Sequence, residues 1–441
     1  MLNQQDIAHA KQIDVYYKLY KADFRNAGLR YLHGEDAVDS DVIEVVENLP
    51  QKISRLFASM MFLEPYTLII EEGNKGDDTR DMLYRNQFHK KLLQSAHSQS
   101  YAGYTAFEVS QVDNKAVISL IKPDYLFIEA NPLGSDMPPL SIKVGWYFEY
   151  EKKKYLFMRK HTTELITSGV FECDALGMPT EKRYSPEVFG YTIPDEEPQF
   201  EHGIPVFVIH NDIHHIGNVY GSSDYEGNES LFQELARNMS QISNELHHFG
   251  NAILAVGSGV LDKSGRPKVA GAKMMQIDTD ESSFVPQYIT NNNPQIDKAQ
   301  TNTEHILRAI CRSTDIAELL VGLNSQGGAE KVGALRLRLL LTLARVKAKL
   351  NSYHAVLPSL VAFAALVEGR QVDAKNIYFE FKDGLPEDTV EMVDLEVKRY
   401  NAGLQSLSDS IRNLDNLDDK ELEEKVAQIR DEEKTLNPFQ A

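Results

Sequence analysis

The spacing of hydrophobic residues along the chain changes from a helical period to alternation and back again. Near the N-terminus, VIEVVENLPQKISRLFASMMF and DMLYRNQFHKKLLQSAHSQSYAG predict two amphipathic helices, separated by the strand-like YTLIIEE. From Gly103 onward the period becomes two in YTAFEVSQ, AVISLIKP, LSIKVGWYFEYE, KYLFMRKH and TELITSGVFE, with turn-forming residues between the segments. This alternation predicts an antiparallel sheet with one face in contact with solvent.

Two further helices are predicted on either side of a short mixed segment. In ESLFQELARNMSQISNELHHFGNAIL one hydrophobic stripe contains Leu231, Leu235, Met239, Ile242, Leu246, Phe249 and Ile253. Residues 257–292 follow and contain the turn DKSGRP and the alternating SSFVPQYIT. Asn293 and Pro294 then have the character of an N-cap and a first helical residue, which predicts a second helix through about Ser313.

A long helix with concentrated positive charge is predicted from about Lys331 to Val367. At 1.5 Å per residue its roughly 37 residues would be about 55 Å long, and Pro358 is expected to kink it. Its first part has no acidic residue and six basic ones: Lys331, Arg336, Arg338, Arg345, Lys347 and Lys349. The helix directly follows the glycine-rich segment GLNSQGGAEKVG.

The first half of this helix has two hydrophobic faces. One face contains Val332, Leu335, Leu339, Leu343, Val346 and Leu350, and the nearly opposite face contains Leu337, Leu341, Ala344 and Ala348. Two such faces predict two packing neighbours. The basic residues lie on the two borders between these hydrophobic faces. At these positions ion pairing is favoured over direct contact with DNA. Pairing across a subunit boundary with the acidic surface of another copy would suit Arg336, Arg338, Arg345, Lys347 and Lys349.

The C-terminal part is predicted to be a strand followed by acidic helices. The strand is NIYFEFKD, and the helical stripes contain Val390, Val393, Val397 and Tyr400, and then Leu422, Val426 and Ile429. Two pairs have the spacing of a capping box: Ser406 with Asp409, and Asp418 with Glu421.

Composition narrows the classes of function. The 441 residues include 65 acidic and 46 basic side chains, a formal net charge of -19, which disfavours tight sequence-independent binding to a phosphate backbone but leaves passing contact with DNA open. Cys173 and Cys311 lie far apart, so neither a disulfide framework nor a zinc site is indicated. The N-terminus has no secretory pattern, and the apolar run LPSLVAFAALV is shorter than the roughly 20 residues of a membrane helix. A soluble cytoplasmic protein in a reducing compartment is therefore expected.

Motifs for catalysis and cofactor binding are weak. GLNSQGGAEKVG lacks the GxxxxGK[ST] spacing of a phosphate-binding loop, which favours a mobile loop instead. His210, His214 and His215, with His247 and His248, lack an HExxH frame, and YGSSDYEG is not GxSxG. Cys311 has the pattern of a packed hydrophobic residue. We therefore expect no catalytic residue, no metal and no cofactor.

Four segments together resemble the portal proteins of tailed bacteriophages, most closely the SPP1-like group, over nearly the whole chain. NLPQKISRLFASMMF with NQFHKKLLQSAHSQSYAGYTAFEV is similar to the start of the family's wing. YGSSDYEGNESLFQELARNMSQISNELHHFGNAILAVGSG matches its Gly-x-Ser-Asp segment through Gly221, Ser223 and Asp224. GALRLRLLLTLARVKAKL resembles the start of its long helix, although Lys331 and Val332 stand where the family often has Ser-Gly. FKDGLPEDTVEMVDLEVKRYNAGLQSLSDSIRNL with DDKELEEKVAQIRDEE resembles its crown.

The resemblance implies an α+β, mostly helical portal fold with wing, stem, clip and crown and a long kinked tunnel helix. The implied domains are a wing (1–229), a first stem helix (230–256), a clip (257–292), a second stem helix (293–316), a tunnel loop (317–331), a long kinked helix with a wing strand (332–385) and a crown (386–441). The implied tunnel-loop contacts with DNA are Asn324, Ser325, Gln326, Gly327, Gly328 and Lys331. The implied clip residues facing DNA or a partner are Lys263, Arg266 and Lys268.

The same resemblance implies a structural function and no enzymatic activity. About twelve copies would form a ring at one capsid vertex, a channel through which double-stranded DNA enters and leaves. The implied partners are the terminase large subunit, head-completion and adaptor proteins, and the major capsid and scaffolding proteins, with no membrane. The implied location is the virion, and the host cytoplasm during assembly. Two alternatives stay open: a metal-dependent enzyme acting on nucleic acid, and another structural ring or adaptor protein of the virion.

Overall fold

The structure is a computed structural model that describes residues 4–24, 26–27, 44–70, 75–132, 139–174, 179–200, 203–212, 219–249, 253–257, 274–277, 287–289, 294–323, 332–382, 389–415, 422 and 425–429. The chain divides into two compact units. The first comprises Met1–Gln326 and Leu339–Gly384, and the second comprises Gly327–Arg338 and Leu385–Ala441.

The first unit begins with four helices and one short strand: α1 (Gln4–Tyr20), α2 (Leu49–Phe62), β1 (Thr67–Ile70), α3 (Lys75–Arg85) and α4 (Phe88–Ala102). Asn48 caps α2, since its side chain accepts a hydrogen bond from the Gln51 N–H at 3.2 Å. α4 ends at Gly103, whose left-handed φ of 86° lets its N–H bond back to the Gln99 carbonyl. Helices are present where the sequence predicted them, with two differences: residues 44–48 are not helical, and the segment predicted as one helix from Asp81 to Gly103 is divided between α3 and α4 at Gln87, which has a φ of 49°.

The alternating segments form two antiparallel sheets, where one was predicted. The first has the order β10-β2-β3, from β2 (Tyr104–Val112), β3 (Lys115–Ile121) and the later β10 (Val206–His210). The second has the order β4-β5-β6-β7-β8, from β4 (Leu126–Glu129), β5 (Ser141–Tyr150), β6 (Lys153–His161), β7 (Leu165–Cys173) and β8 (Pro179–Tyr184), and β9 (Glu196–Pro198) also pairs with β7. Strand periodicity shows which face is buried but not which strands pair, so it could not divide the sheets.

Two long helices flank a small three-stranded sheet. α5 (Glu229–Phe249) and α6 (Pro294–Ser313) pack against each other, and the sheet has the order β12-β11-β13, from β11 (Ile253–Gly257), β12 (Met274–Ile277) and β13 (Gln287–Ile289). The predicted first stem helix over 230–256 is therefore too long, because residues 253–257 are a strand. A glycine follows Phe249 in the sequence, and ILAVG favours a strand over a helix.

The predicted long helix is interrupted. α7 (Val332–Arg338) belongs to the second unit and α8 (Leu340–Val367) to the first, and Leu339 between them has φ −93° and ψ 5°. The prediction of one helix from Lys331 to Val367 is wrong at this position, where the sequence has neither glycine nor proline. Pro358 lies inside α8, which continues to Val367. The cause of the interruption is thus tertiary and not local.

α8 lies in the core of the first unit. It contacts β2, β3, β10 and the last strand, β14 (Ile377–Glu380), which pairs antiparallel with β1. Tyr353, Leu357 and Leu360 on α8 are fully buried. Within the described part of the chain, α8 is the one helix long and apolar enough to cross a membrane by length and composition. Its packing against two sheets explains that composition as the pattern of a core helix.

The second unit contains α7, α9 (Thr389–Asn401), α10 (Leu407–Asp415) and helical residues at 425–429. Ile411, Leu422 and Val426 form its small hydrophobic cluster. Ser406 caps α10, because its Oγ accepts a hydrogen bond from the Asp409 N–H at 3.1 Å, which confirms that predicted cap. The other predicted cap, Asp418 with Glu421, lies outside the described residues.

Candidate functional site

Three segments of the first unit meet backbone to backbone beside α8: the end of α4, the residues after β10, and Gly221–Tyr225 ahead of α5. The Asp224 N–H donates to the Ser100 carbonyl at 2.9 Å, and the Asn211 N–H donates to the Gly103 carbonyl at 2.8 Å. Gly221 has φ 76°, and a Cβ placed on it would lie 2.5 Å from the Gly103 carbonyl oxygen. Only glycine permits this approach at Gly221, which explains its place in the Gly-x-Ser-Asp pattern.

The carboxylate of Asp224 is the centre of the junction. Lys349 Nζ on α8 donates to both of its oxygens, at 2.9 and 2.8 Å. Arg345 Nη2, one helical turn earlier, donates at 3.2 Å, and the side chains of Ser100 and Asn211 donate at 2.6 and 3.0 Å. The Asp224 side chain is 3% exposed, so its charge is compensated almost entirely by these five hydrogen bonds from four residues.

The two basic residues have further partners within the same chain. Arg345 Nη1 also donates to Asp212, and Lys349 Nζ also donates to the Asn211 side chain and lies 4.6 Å from the centre of the Phe57 ring. The cluster therefore contains two cations and two carboxylates and is close to neutral. The side chains of Lys349 and Asp224 are 1% and 3% exposed, so these two charges are held in a region from which water is largely excluded. Arg345 and Asp212 are 19% and 31% exposed and lie at its open side.

The ionisation of the pair follows from its surroundings. Burial raises the pKa of Asp224, but the charges of Lys349 and Arg345 outweigh that effect and hold this pKa below its ordinary value. Burial lowers the pKa of Lys349 to about 8, against the raising effect of Asp224. The lowered pKa of Asp224 favours its carboxylate form, and both oxygens of that carboxylate accept hydrogen bonds from Lys349 Nζ, which is the geometry of an ion pair.

Hydroxyl groups extend the cluster into the helical core. Ser54 Oγ on α2 donates to Ser100 Oγ at 2.9 Å, and Ser54 also bonds to the Tyr225 hydroxyl at 2.7 Å. Tyr225 in turn donates to the Pro50 carbonyl at 2.7 Å, and Ser223 Oγ donates to the Tyr101 carbonyl at 2.7 Å. The segment Gly221–Tyr225 thus connects α2, α4 and α8 immediately before α5 begins.

A second set of contacts fixes the ends of α5, α6 and α8 nearby. The Ser313 hydroxyl at the end of α6 donates to the Asn228 side chain just before α5. The Thr342 hydroxyl in the first turn of α8 donates to the Asp315 carbonyl at 2.8 Å and accepts from the Ala317 N–H at 2.9 Å. We call the set of residues bonded in this region the helix junction: Ser54, Ser100, Asn211, Asp212, Ser223, Asp224, Tyr225, Asn228, Ser313, Thr342, Arg345 and Lys349. Its bonds fix the first turn of α8 independently of the residues before it.

The predicted basic residues have different positions in the structure. Lys349 is buried within its own chain, contrary to the prediction of a position between subunits, and Arg345 is held in the same cluster. Lys347 is exposed and has no ion-pair partner among the described residues. Arg336 and Arg338 lie on α7 in the second unit, and each has an interaction partner. The predicted loop and clip residues lie outside the described part of the chain: Asn324, Ser325, Gln326, Gly327, Gly328, Lys331, Lys263, Arg266 and Lys268.

The two predicted hydrophobic faces also differ. Leu339, Val346 and Leu350 of the first face are buried in the first unit, as predicted. On the second face, Leu337 and Leu341 are 73% and 70% exposed. One of the two predicted packing neighbours is therefore the core of the chain itself.

The pairing of Asp224 with α8 is the feature that sequence reasoning missed. The family pattern singled out Asp224, and the charge of the long helix singled out Arg345 and Lys349. No sequence argument predicted that these side chains would contact one another. Arg345 and Lys349 are four residues apart on one side of an apolar helix. This spacing was the signal in the sequence from which a buried partner shared by both could have been predicted. No group of three His, Cys, Asp or Glu side chains in the described ranges could hold a metal ion.

Comparison with known proteins identifies one family. The model of the family "Phage portal protein, SPP1 Gp6-like" matches residues 2–438. Among curated proteins, none matches the chain significantly.

Three solved structures are similar at low sequence identity. A chain of the "virion of native gene transfer agent (GTA) particle" is 12% identical, with a TM-score of 0.47, and the match covers 83% of this chain and 89% of that one. A chain of the "neck of empty GTA particle computed with C6 symmetry" is 14% identical, with a TM-score of 0.49 and coverage of 83% and 90%. A chain of the "neck of native GTA particle computed with C12 symmetry" is 13% identical, with a TM-score of 0.48 and coverage of 83% and 89%.

Proposed function

Since the chain belongs to the family of SPP1 Gp6-like phage portal proteins over residues 2–438, we propose that it forms the portal ring of a phage capsid. About twelve copies close into a ring at one vertex, with heterologous contacts between neighbours. Double-stranded DNA passes along the ring axis, inward during packaging and outward during ejection. The family match over nearly the whole chain is the observation that carries this proposal.

The parts of the ring follow from the order of the elements. We assign α5 and α6 to the stem and the segment 257–292 between them to the clip, because the two helices pack together and flank a separate small sheet. The sheets before α5 form the wing, residues 317–331 the tunnel loop and residues 386–441 the crown. In this assignment the helix junction joins the wing, both stem helices and the helix that follows the tunnel loop.

The proposed role is structural and uses energy supplied from outside. A terminase motor docks on the clip during packaging, and head-completion and adaptor proteins later replace it. Capsid and scaffolding proteins surround the wing in the virion. Lys263, Arg266 and Lys268 are the proposed clip residues that face DNA or these partners, and Arg336, Arg338 and Lys347 are the proposed cations between subunits.

The charge of the chain suits a channel. An acidic wall with few basic groups avoids a deep binding well for a polyanion, so DNA can slide past it. Asn324 to Gly328 are the proposed narrowest contact, since a short polar glycine-rich loop offers neither strong attraction nor bulk.

Imaging of the purified protein tests the ring directly. We expect closed rings by negative-stain electron microscopy, and a protein that stays monomeric under all conditions contradicts the proposal.

Deletion of Asn324–Gly328 is expected to leave ring formation intact and to reduce packaged or retained DNA. A variant in which these five residues become a Gly-Ser linker of equal length is the matched control. Loss of rings in the deletion variant would instead give the loop a structural role.

A further inference from the structure

The outward side of α8 is an open apolar face on an otherwise buried helix. Leu340 and Leu341 are 60% and 70% exposed, and Ala344, Ala348 and Ala355 are exposed behind them at helical spacing, with the exposed polar Asn351 among them. We call this set the α8 face. The opposite side of the same helix carries the core residues Tyr353, Leu357 and Leu360, so the α8 face is the side that its own sheets do not cover.

The small side chains of the α8 face border a cavity of about 280 Å³. Its lining combines the small or short residues of α8 with polar groups of the helix junction: Ala348, Ser352, Ala355, Val356, Arg345, His210, Asn211 and Asp212. The floor is rigid, because Arg345 is bonded to both Asp212 and Asp224. A fixed polar floor with apolar walls suits an aromatic side chain that carries a hydroxyl group.

Three exposed side chains on adjoining elements of the first unit have the complementary chemistry. Tyr84 on α3 is 86% exposed, and Ile69 on β1 and Tyr378 on β14 are direct register partners that are 47% and 50% exposed. α3 contacts β1, so the three residues lie on adjoining elements. We call this set the corner patch.

The charges around the two surfaces are opposite in sign. Lys347 borders the α8 face and is exposed without an ion-pair partner in the described ranges. Asp78, Asp81 and Glu380 border the corner patch, are exposed and likewise have no ion-pair partner there. Arg80 and Arg85, on the same helix as Tyr84, are paired with Asp77 and Glu368. Two different surfaces of one chain whose unpaired charges are opposite in sign are what a heterologous contact between copies requires.

We infer that the α8 face binds the corner patch of a second copy of this chain, with Tyr84 of that copy as the anchor in the cavity and Lys347 facing its acidic border. The inference rests on the proposed ring and identifies which surfaces of neighbouring subunits meet. It also corrects the role of the basic helix: the contact uses its leucines, alanines and Lys347, whereas Arg345 and Lys349 support it from within.

Charge reversal of Lys347 in the full-length protein tests the contact. Lys347→Glu is expected to raise the subunit concentration needed for half-assembly by about tenfold, measured by light scattering with electron microscopy of the rings. Lys152→Glu makes the same charge change at an exposed position in the turn between β5 and β6, outside both surfaces, and is expected to have no effect. Adding Asp81→Lys to Lys347→Glu is expected to restore most of the assembly, which loss through misfolding would not permit.

The outcomes separate this inference from the proposed function. If the wild-type protein forms rings and Lys347→Glu and Tyr84→Ala assemble as well as wild type, the inference is overturned and the portal proposal stands. If the wild-type protein forms no rings, both are overturned. Cysteines placed at Tyr84 and Ala348 in separate chains should form covalent dimers on mixing; a bond formed only when both lie in one chain would show that the chain covers its own α8 face.

Discussion

At the scale of single residues, the burial of Asp224 with two cations constrains where α8 lies in the first unit. Forming such a cluster gains little net stability, since desolvation offsets the attraction between the charges. Breaking it is costly, because the partners left behind stay buried and charged. The cluster therefore fixes the position of α8 on the rest of the first unit more than it adds to the free energy of unfolding.

Asp224→Asn is expected to lower the free energy of unfolding by about 3–5 kcal/mol, since Lys349 and Arg345 lose their main counterion. Urea unfolding of the dissociated protein measures this change. Asp195→Asn alters an exposed aspartate in the same way and is the matched control, with an expected change within about 0.5 kcal/mol. Equal effects of the two substitutions would show that Asp224 has no special energetic role.

Gly221→Ala tests whether the glycine of the Gly-x-Ser-Asp segment is required by space or only by backbone conformation. Gly221 and Gly227 have similar φ values, 76° and 79°, but a Cβ on Gly227 meets nothing within 4 Å. Gly227→Ala should therefore cost only the backbone strain, about 1 kcal/mol, whereas Gly221→Ala adds a clash with the Gly103 carbonyl and should cost clearly more. Thermal unfolding of both variants compares their losses of stability. Equal losses would exclude a close approach of Gly221 to the Gly103 carbonyl.

At the scale of elements, hydrogen bonds from outside the helix explain where α8 begins. Thr342 is fully buried and is bonded to two backbone groups of the segment after α6. These bonds hold the first turn of α8 in place, so the helix starts at a position that its own sequence does not mark. A helix boundary set in this way belongs to the tertiary structure.

Thr342→Val keeps the shape of the side chain and removes its hydroxyl, which leaves the Ala317 N–H without its acceptor. We expect a loss of about 1–3 kcal/mol in the free energy of unfolding and faster hydrogen exchange at Ala317. Thr303→Val is the control, because the Thr303 hydroxyl bonds only the Ala299 carbonyl one turn earlier in its own helix. Unchanged exchange at Ala317 would mean that this bond does not hold the start of α8.

The same elements show how far the sequence could predict the structure. Period and capping residues were sufficient for the helix α6, for the existence of α5 but not its C-terminal end, and for the cap at Ser406, because these depend on residues close together in the chain. The division of the strands into two sheets, the interruption at Leu339 and the pairing of Asp224 with Lys349 depend on contacts between residues more than a hundred positions apart or on buried tertiary bonds. No local pattern encodes such contacts, so only the family resemblance pointed to Asp224.

At the scale of the whole molecule, the net charge of -19 limits how tightly the proposed channel can hold DNA. A protein that grips duplex DNA neutralises several phosphates with lysine and arginine, and its affinity falls steeply with salt. In this chain the basic helix has the most concentrated positive charge. Two of its cations, Arg345 and Lys349, are already bonded to Asp224 within the chain. The exposed surface of the basic helix is therefore less positive than its sequence suggests.

We accordingly expect purified rings to bind linear duplex DNA no more tightly than about 10⁻⁴ M at physiological salt, the weak end of non-specific binding. Fluorescence anisotropy with a labelled duplex longer than the ring measures this affinity across a salt series. Micromolar binding with a steep salt dependence would reveal a continuous basic track and contradict the idea of a wall along which DNA slides. Weak binding together with normal packaging would show instead that passage through the ring needs confinement and not adhesion, as the acidic composition predicts.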